Sequence, residues 1–255
     1  MRIRIGLATS FLSLIAGIQC PAQEKSLPDA DAVIARLVDH DAQREKLGGG
    51  YTGTRRYLLE NQRLNKQAEM LVTVQCDRDG RKHFEVISEE GWNSANKHVL
   101  HKMLESEEET SQPEKRPATR VSPENYTFEL LGTEPVDERP AYVLRVLPKR
   151  EDKYLFEGRI WVDAEDFALV RVEGKPAKNP SFWIHSVNFV QVNSKSGTFW
   201  FPLSTESVTD ARIFGKTAVT ISYFDYQSNS TAESAIQQIS QKPRLDQIEA
   251  NYAQK

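Results

Sequence analysis

Most of the chain alternates between apolar and polar residues with the two-residue period of β-strands. The alternation is clearest in ten segments bounded by turn-forming residues, which predicts about ten strands. We place these strands at Tyr51 to Leu59, Glu69 to Cys76, His83 to Ser88, Tyr126 to Leu131, Ala141 to Leu147, Tyr154 to Val162, Ala168 to Glu173, Trp183 to Val192, Phe199 to Asp210 and Thr217 to Tyr226. Their even spacing favours one large antiparallel sheet, open or curled toward a barrel.

Two segments have instead the 3.6-residue period of an amphipathic helix. The first runs from Asp29 to Leu47, where a run of glycines ends it, and the second runs from Trp92 to about Glu105. Their apolar faces are Val33, Ile34, Leu37 and Val38 in the first helix, and Trp92, Val99, Leu100, Met103 and Leu104 in the second. The polar, acidic segment from Glu105 to Arg120 contains two prolines and is predicted to be a solvated loop.

The predicted sheet has one apolar, aromatic-rich face, and two short helices cover only part of it. Dense packing of side chains would close the gap with a filled core. The alternative is a hydrophobic hollow between the sheet and the helices. The candidate lining residues are then Tyr154, Phe156, Ile160, Trp183, Phe189, Phe199, Phe201 and Tyr223 from the sheet, with Val99 and Met103 from the second helix.

The amino terminus has the pattern of a secretory signal peptide. Two arginines precede an apolar stretch from Ile5 to Ile18, and a small-x-small cleavage site ends at Ala22. The stretch has about 14 residues, whereas a transmembrane helix needs roughly 20. We therefore divide the chain into a signal peptide at 1–22, one domain at 23–228, and a polar, Gln-rich tail at 229–255 that is weakly helical or disordered.

Composition indicates an ordinary globular protein, with 39% hydrophobic and 27% charged residues. The formal net charge is −3, and cleavage after Ala22 removes Arg2 and Arg4 and takes it to −5. Without a stripe of Lys and Arg, nucleic acid is not an expected partner. Cleavage also leaves Cys76 as the single cysteine, so the mature fold depends on its hydrophobic core and not on disulfides.

No catalytic motif stands out in the sequence. A nucleophile elbow of the form Gly-x-Ser-x-Gly is missing, and the glycines at 48–50 lack the Lys-Ser/Thr that would complete a phosphate-binding loop. His98, His101 and Glu105 share a helix face, but polar residues are expected on a solvated face anyway. We therefore predict no catalytic residue, no metal site and no cofactor.

The order of elements and several local motifs resemble the LolA/LolB-like family of periplasmic lipoprotein carriers, which includes outer-membrane lipoprotein-sorting proteins. The likeness lies in Tyr154 to Phe167, Asn179 to Trp183, Ala211 to Lys216, and the Glu89-Glu90-Gly91-Trp92 sequence before the second helix. The resemblance implies a mainly β fold with helices (α+β): a curved antiparallel sheet that forms an unclosed β-barrel of about eleven strands, with helices as a lid over a cavity for acyl chains. These motifs are hairpin and strand features, so they indicate fold more strongly than function.

In that family a strand-borne arginine near the cavity holds the lid. Arg55, Arg56 and Arg81 lie in the corresponding early strands of this chain, and no motif here selects one of them.

The resulting hypothesis is a non-enzymatic, periplasmic protein that holds the acyl chains of a lipid or lipoprotein, with envelope proteins and the membrane surface as further contacts. The alternative hypothesis is a protein-interaction or envelope-stress sensor domain on the same fold with a filled core. In that case the Glu107 to Arg120 segment or the tail would contact the partner.

Overall fold

The structure is a computed structural model that describes residues 27–47, 50–179, 184–197, 199–213 and 215–228. The predicted signal peptide, the residue Trp183 and the tail at 229–255 lie outside the described residues. No helix in the described part of the chain is both long enough and apolar enough to cross a membrane.

Ten antiparallel strands form one sheet in the described residues. They are β1 (Tyr51–Asn61), β2 (Lys66–Cys76), β3 (Lys82–Gly91), β4 (Tyr126–Val136), β5 (Arg139–Pro148), β6 (Phe156–Asp163), β7 (Leu169–Pro176), β8 (Ile184–Ser196), β9 (Phe199–Ala211) and β10 (Gly215–Ser228). The spatial order is β3-β2-β1-β10-β9-β8-β7-β6-β5-β4. The predicted fold class is confirmed, because the sheet is antiparallel and its edge strands β3 and β4 leave it unclosed.

Every neighbouring pair in this order follows directly in sequence except β1 and β10. Their antiparallel pairing runs from Tyr51 opposite Ser228 to Asn61 opposite Thr217. This pairing joins the first three strands to the last seven, so the sheet depends on one long-range contact between the two ends of the domain.

The helices occupy the positions expected, with one extension. Helix α1 spans Ala30–Leu47. The second helix, which we call the split helix, consists of α2 (Asn93–Ala95), a π-helical turn (Asn96–Leu100) and α3 (His101–Ser111). A short 3₁₀ turn follows at Arg116–Ala118. The predicted solvated loop from Glu105 was therefore wrong over its first part, because the helix continues to Ser111.

The extension has a physical cause in contacts that a polar sequence does not reveal. The Oγ of Ser111 accepts a hydrogen bond from the backbone N–H of Lys82 on β3 at 2.9 Å. The carboxylate of Glu107 forms ion pairs with Arg55 and Lys82. These contacts hold the end of α3 against the sheet, so the acidic run is only partly solvated.

Two apolar clusters lie on the inner face of the sheet, which is the face that carries the helices. In the first cluster Val33, Ile34 and Leu37 of α1 are fully buried against β4 to β7. In the second cluster Leu100 and Leu104 of the split helix pack on β1, β2 and β10. Each fully buried aliphatic side chain contributes about 1.5–3 kcal/mol relative to an exposed one.

A third cluster lies on the opposite face. Successive residues of a strand point to opposite faces, and both Ile160 and Trp161 of β6 are buried. Trp161 packs in a cluster with Ala141, Val143 and Trp200, whereas Ile160 packs under α1. Strands β5 and β6 are therefore buried on both faces where Ala141 to Leu144 pair with Ile160 to Asp163, although the sequence pattern predicted one apolar face.

Candidate functional site

At one end of the sheet, α1 and the turn between β2 and β3 stand apart and enclose a hollow of about 650 Å³, which we call the inner hollow. Its strand residues lie at the starts of β1, β3, β7 and β9 and toward the ends of β2 and β8, which meet at the same end of an antiparallel sheet. The residues that line it are His40, Asp41, Ala42, Arg44 and Glu45 of α1, Gly50, Tyr51, Cys76 to Gly80, Lys82, Arg116, Ala168, Leu169, Gln191, Asn193 and Trp200 to Pro202.

Aromatic rings form one wall of the inner hollow. The rings of Phe201 and Tyr226 stack with centroids 4.5 Å apart, and Tyr51 meets the Tyr226 ring edge-on at 5.5 Å. Gly53 leaves room for this arrangement, because a Cβ there would lie 3.1 Å from the Tyr226 ring. Burial raises the pKa of Tyr226, and its hydroxyl has no hydrogen-bond partner among the described residues. The wall formed by Tyr51 and Phe201 is therefore backed by the buried Tyr226 ring and is largely apolar.

The rim of the hollow is charged. His40, Arg44 and Glu45 approach from α1, and Arg116 approaches from the 3₁₀ turn. The carboxylate of Glu45 is paired with Arg120, and it lies 3.9 Å from the Nη1 of Arg116. An apolar wall with a charged rim is the form of site that suits an amphipathic ligand.

A buried ion-pair cluster ties the sheet to the split helix. Arg55 on β1 is 1% exposed, and its Nη1 donates to the Oε2 of Glu107 on α3 at 2.7 Å. The Nζ of Lys82 on β3 donates to the other carboxylate oxygen at 2.6 Å. The Arg55 guanidinium also lies over the rings of Tyr223 and Phe84, at 4.9 and 5.2 Å from their centroids.

The electrostatics of this cluster favour its charged form. Burial by itself would raise the pKa of Glu107, but the charges and hydrogen bonds of Lys82 and Arg55 outweigh burial and lower that pKa to about 2. Burial would lower the pKa values of Lys82 and Arg55, and the nearby Glu107 carboxylate raises both instead. All three groups are ionised at neutral pH, so the contact between sheet and split helix is a charged one.

The structure distinguishes the three arginines that the sequence left equivalent. Arg56 forms a bidentate pair with Glu69 on the neighbouring strand β2, at 2.7 Å for both bonds. Arg81 pairs with Asp79 inside the exposed β2–β3 turn. Arg55 is the arginine that reaches from the sheet to the helix above it.

The predicted lining residues are distributed over several environments. Phe201 lines the inner hollow. Phe156, Ile160 and Phe189 belong to the first cluster, where Ile160 is 0% exposed and the Phe156 and Phe189 rings meet edge-on at 5.7 Å. Met103 of the split helix and Tyr223 of β10 pack against the second cluster.

The other four candidates lie apart from these groups. Tyr154 precedes β6, and its hydroxyl donates to Glu109 at 3.0 Å. Val99 is 39% exposed on the split helix. The side chain of Phe199 and all of Trp183 lie outside the described residues. The structure thus brings Phe201 to the inner hollow and places five candidates in the two clusters beside it.

Sequence reasoning missed the residues that form most of the hollow. Tyr51 lines it with Tyr226 packed behind, because β1 pairs with β10, a contact that no local pattern reveals. Arg116 was assigned to a solvated loop, and His40 and Arg44 lie in the first helix outside its predicted apolar face. The alternation of Tyr51, Gly53 and Arg55 on one face of β1 was the available signal, since a glycine between large residues often marks a close approach.

Metal chemistry has no evident site in the described residues. No three His, Cys, Asp or Glu side chains come together there in a group that could hold a metal ion. Of the residues considered for such a site, His101 pairs with Glu89 of β3, and Glu105 pairs with Lys102 of its own helix.

Comparison with known proteins finds distant likenesses. A family model described as a family of unknown function (DUF5686) matches residues 116–230, which is less than half of the chain. No curated protein sequence matches the chain.

Several solved structures are similar to the chain at low identity. A DUF1329 family protein from Desulfovibrio piger has 12% identity and a TM-score of 0.42, with 83% of this chain and 100% of that one covered. A putative outer membrane lipoprotein-sorting protein domain from Vibrio parahaemolyticus has 12% identity and a TM-score of 0.42, with 80% and 94% covered. A LolA superfamily protein from Nitrosomonas europaea has 8% identity and a TM-score of 0.36, with 83% and 98% covered. The fold class assigned above accordingly depends on the observed sheet topology.

Proposed function

We propose that this chain is an exported, non-enzymatic protein that holds acyl chains of a lipid or lipoprotein, with the inner hollow as the entry to its binding site. The observation that carries the proposal is the hollow of about 650 Å³ beside the stacked rings of Phe201 and Tyr226. This volume falls within the roughly 300–1,000 Å³ of small-molecule sites. Alkyl groups buried there would gain about 25 cal/mol per Å² of apolar surface.

A larger ligand would require the split helix to move. Met103 of that helix and Tyr223 of β10 both pack against the second cluster, so they would contact a ligand only after the helix is displaced. The contact to be opened is the ion-pair cluster of Arg55, Lys82 and Glu107, because it joins α3 to the sheet beside these residues. The predicted lining residues in the second cluster would then extend the inner hollow along the sheet.

The proposed location is the periplasm, and the support for it is the predicted signal peptide at 1–22. A carrier of acyl chains needs no cofactor and no nucleophile, which agrees with the lack of a catalytic motif in the sequence. The proposed partners are acyl chains, envelope proteins and, by peripheral contact, the membrane surface. Nucleic acid is not a proposed partner, because the net charge is −3 and no basic stripe is present.

The experiment is a titration with a fluorescent fatty acid, using two tryptophan variants of α1. Ala42 lines the inner hollow, so Ala42→Trp fills it. Gln43 is exposed and does not line the hollow, so Gln43→Trp adds the same side chain to the same helix at a position that faces solvent. We expect Ala42→Trp to weaken fatty-acid binding at least tenfold and Gln43→Trp to leave it within twofold of the parent. Equal binding by both variants would contradict the site assignment.

The alternative function, a protein-interaction or sensor domain with a filled core, has one observation in its favour. Ile160 and Phe156, two predicted lining residues, pack inside the first cluster under α1. If the parent protein takes up no fatty acid, this alternative replaces the proposal. Deletion of residues 229–255 is a second experiment that distinguishes the two functions. A carrier should retain lipid binding without the tail, whereas an interaction domain that uses the tail should lose binding to its partner.

A further inference from the structure

The acidic groups at the rim of the inner hollow have partners of their own. Glu45 is paired with Arg120 and lies at the longer distance of 3.9 Å from the Nη1 of Arg116, and Asp79 is paired with Arg81 at 2.7 Å. Asp77 lies 3.4 Å from His83, and Asp41 lies 3.5 Å from His40. Their charges are therefore directed toward neighbours along the rim.

The basic groups at the rim have fewer hydrogen-bond and ion-pair partners than the acidic groups. Arg44 donates to the backbone carbonyl of Trp200 at 3.2 Å, and neither Arg44 nor Arg78 has a carboxylate partner in the part of the chain that the structure describes. The Nε of Arg116 is buried without a hydrogen-bond partner among the described residues. A buried donor without an acceptor costs about 1–3 kcal/mol, so an acceptor supplied by a ligand would recover that cost.

Arg116 packs against the turn between β2 and β3. Its guanidinium lies against Gly80, where a Cβ would come within 1.6 Å of Nη1. Gly80 has a φ of +84°, in the left-handed region that glycine adopts without strain. Without a Cβ at this position, the turn leaves room for the guanidinium at the edge of the hollow.

We propose that the rim of the inner hollow binds the anionic head group of an acyl-chain ligand, with Arg116 as the contact residue and Arg44 beside it. A guanidinium offers forked donors that match a carboxylate or a phosphate group. The aromatic wall of Tyr51 and Phe201 would meet the hydrocarbon chain of the same ligand. This inference rests on the proposed function and adds the chemical class of the head group.

The test is displacement of a neutral apolar dye, N-phenyl-1-naphthylamine, from the full chain by amphiphiles of equal chain length. Palmitate, hexadecyl phosphate and hexadecanol differ only in the head group. We expect at least one of the two anions to displace the dye at a concentration about tenfold below that of hexadecanol, the scale of one hydrogen bond to a charged group. The anion that does so identifies the head group as a carboxylate or a phosphate.

Arg116→Gln should reduce this preference to less than threefold. Arg145→Gln is the matched control, because Arg145 pairs with Glu129 and does not line the inner hollow, so that variant should keep the full preference. Arg116→Lys provides a second variant that retains the charge without the forked donors, and it should keep part of the preference. Thermal unfolding of each variant verifies that the fold is intact.

Each remaining outcome is decisive. Equal displacement by all three amphiphiles overturns the head-group inference and leaves acyl-chain binding intact. Dye that no amphiphile displaces contradicts the proposed function itself. Calorimetric binding of inorganic phosphate as tight as that of hexadecyl phosphate overturns the inference, since the rim would then bind the free anion without a chain. An unchanged preference in folded Arg116→Gln removes Arg116 from the site.

Discussion

Arg55 and Glu107 lie 52 residues apart in sequence and form a 2.7 Å ion pair between β1 and α3. The arginine is almost fully buried, whereas the carboxylate is about one-third exposed and is shared with Lys82. An arginine in this position needs its counter-ion, because an isolated buried charge is costly. The pair therefore couples the position of the split helix to the interior of the sheet.

The first prediction concerns the loss of this pair. Glu107→Gln leaves Arg55 buried without its counter-ion, and we expect the free energy of unfolding to fall by ~3 kcal/mol. Glu105→Gln is the control on the same helix, because Glu105 is exposed and pairs with Lys102 on the solvent side. It should change stability by less than about 0.5 kcal/mol. Urea denaturation compares the two variants, and equal losses would contradict the role given to Glu107.

The second prediction is a pH dependence of the same contact. The pKa of Glu107 is lowered from its ordinary value of 4.5 to about 2 in the folded state. A carboxyl group with a lowered folded pKa contributes stability above its unfolded pKa and loses that contribution as the pH falls through the folded pKa. The stability difference between the parent and Glu107→Gln should therefore shrink between pH 4.5 and pH 2. If this stability difference stays constant between pH 4.5 and pH 2, the charge of the Glu107 carboxylate does not contribute to stability.

The third prediction concerns the turn between β6 and β7. Asp163 is fully buried and accepts two hydrogen bonds from Arg139, at 2.6 and 2.8 Å, together with the backbone N–H groups of Glu165 and Asp166. Burial opposes ionisation, yet these bonds hold the pKa of Asp163 below its ordinary value. Asp163→Asn should lower the free energy of unfolding by ~3 kcal/mol.

Glu165→Gln is the matched control for that substitution. Glu165 belongs to the same turn and also meets Arg139, but its side chain is 66% exposed. We expect a change below about 0.5 kcal/mol in guanidinium denaturation. A larger loss in the control than in Asp163→Asn would contradict the importance assigned to the buried carboxylate.

The fourth prediction uses Cys76, which lines the inner hollow and is 8% exposed. Burial raises the pKa of its thiol, so little reactive thiolate is present near neutral pH. Iodoacetamide should modify the native mature chain at least tenfold more slowly than the same chain in urea. Saturating fatty acid should slow the native reaction further, and a rate unaffected by fatty acid would place the ligand away from Cys76.

The strands could be predicted from sequence because their cause is local. All ten segments chosen for their alternation are strands in the structure. The predicted turn around Gly80 is also present between β2 and β3. The end of the second helix could not be predicted in this way. Three consecutive glutamates indicate a solvated segment, and only the folded chain brings Arg55 and Lys82 to Glu107.

The candidate site was harder to predict for a related reason. Phe201 could be selected as an apolar strand residue, but its neighbours Tyr51 and Tyr226 come from strands at opposite ends of the domain. The pairing of β1 with β10 places these rings together, and the period of either strand carries no information about its partner. Alternation likewise could not separate Ile160, which fills the first cluster, from Phe201, which borders a hollow.

The most direct test of the proposed function is native mass spectrometry of the mature protein purified from its own periplasm, followed by lipid extraction. The account predicts a protein mass increased by a bound lipid or lipopeptide, and recovery of acyl chains in the extract. A mass equal to that of the chain alone, together with no uptake of fluorescent fatty acid, would contradict it and favour the filled-core interaction domain.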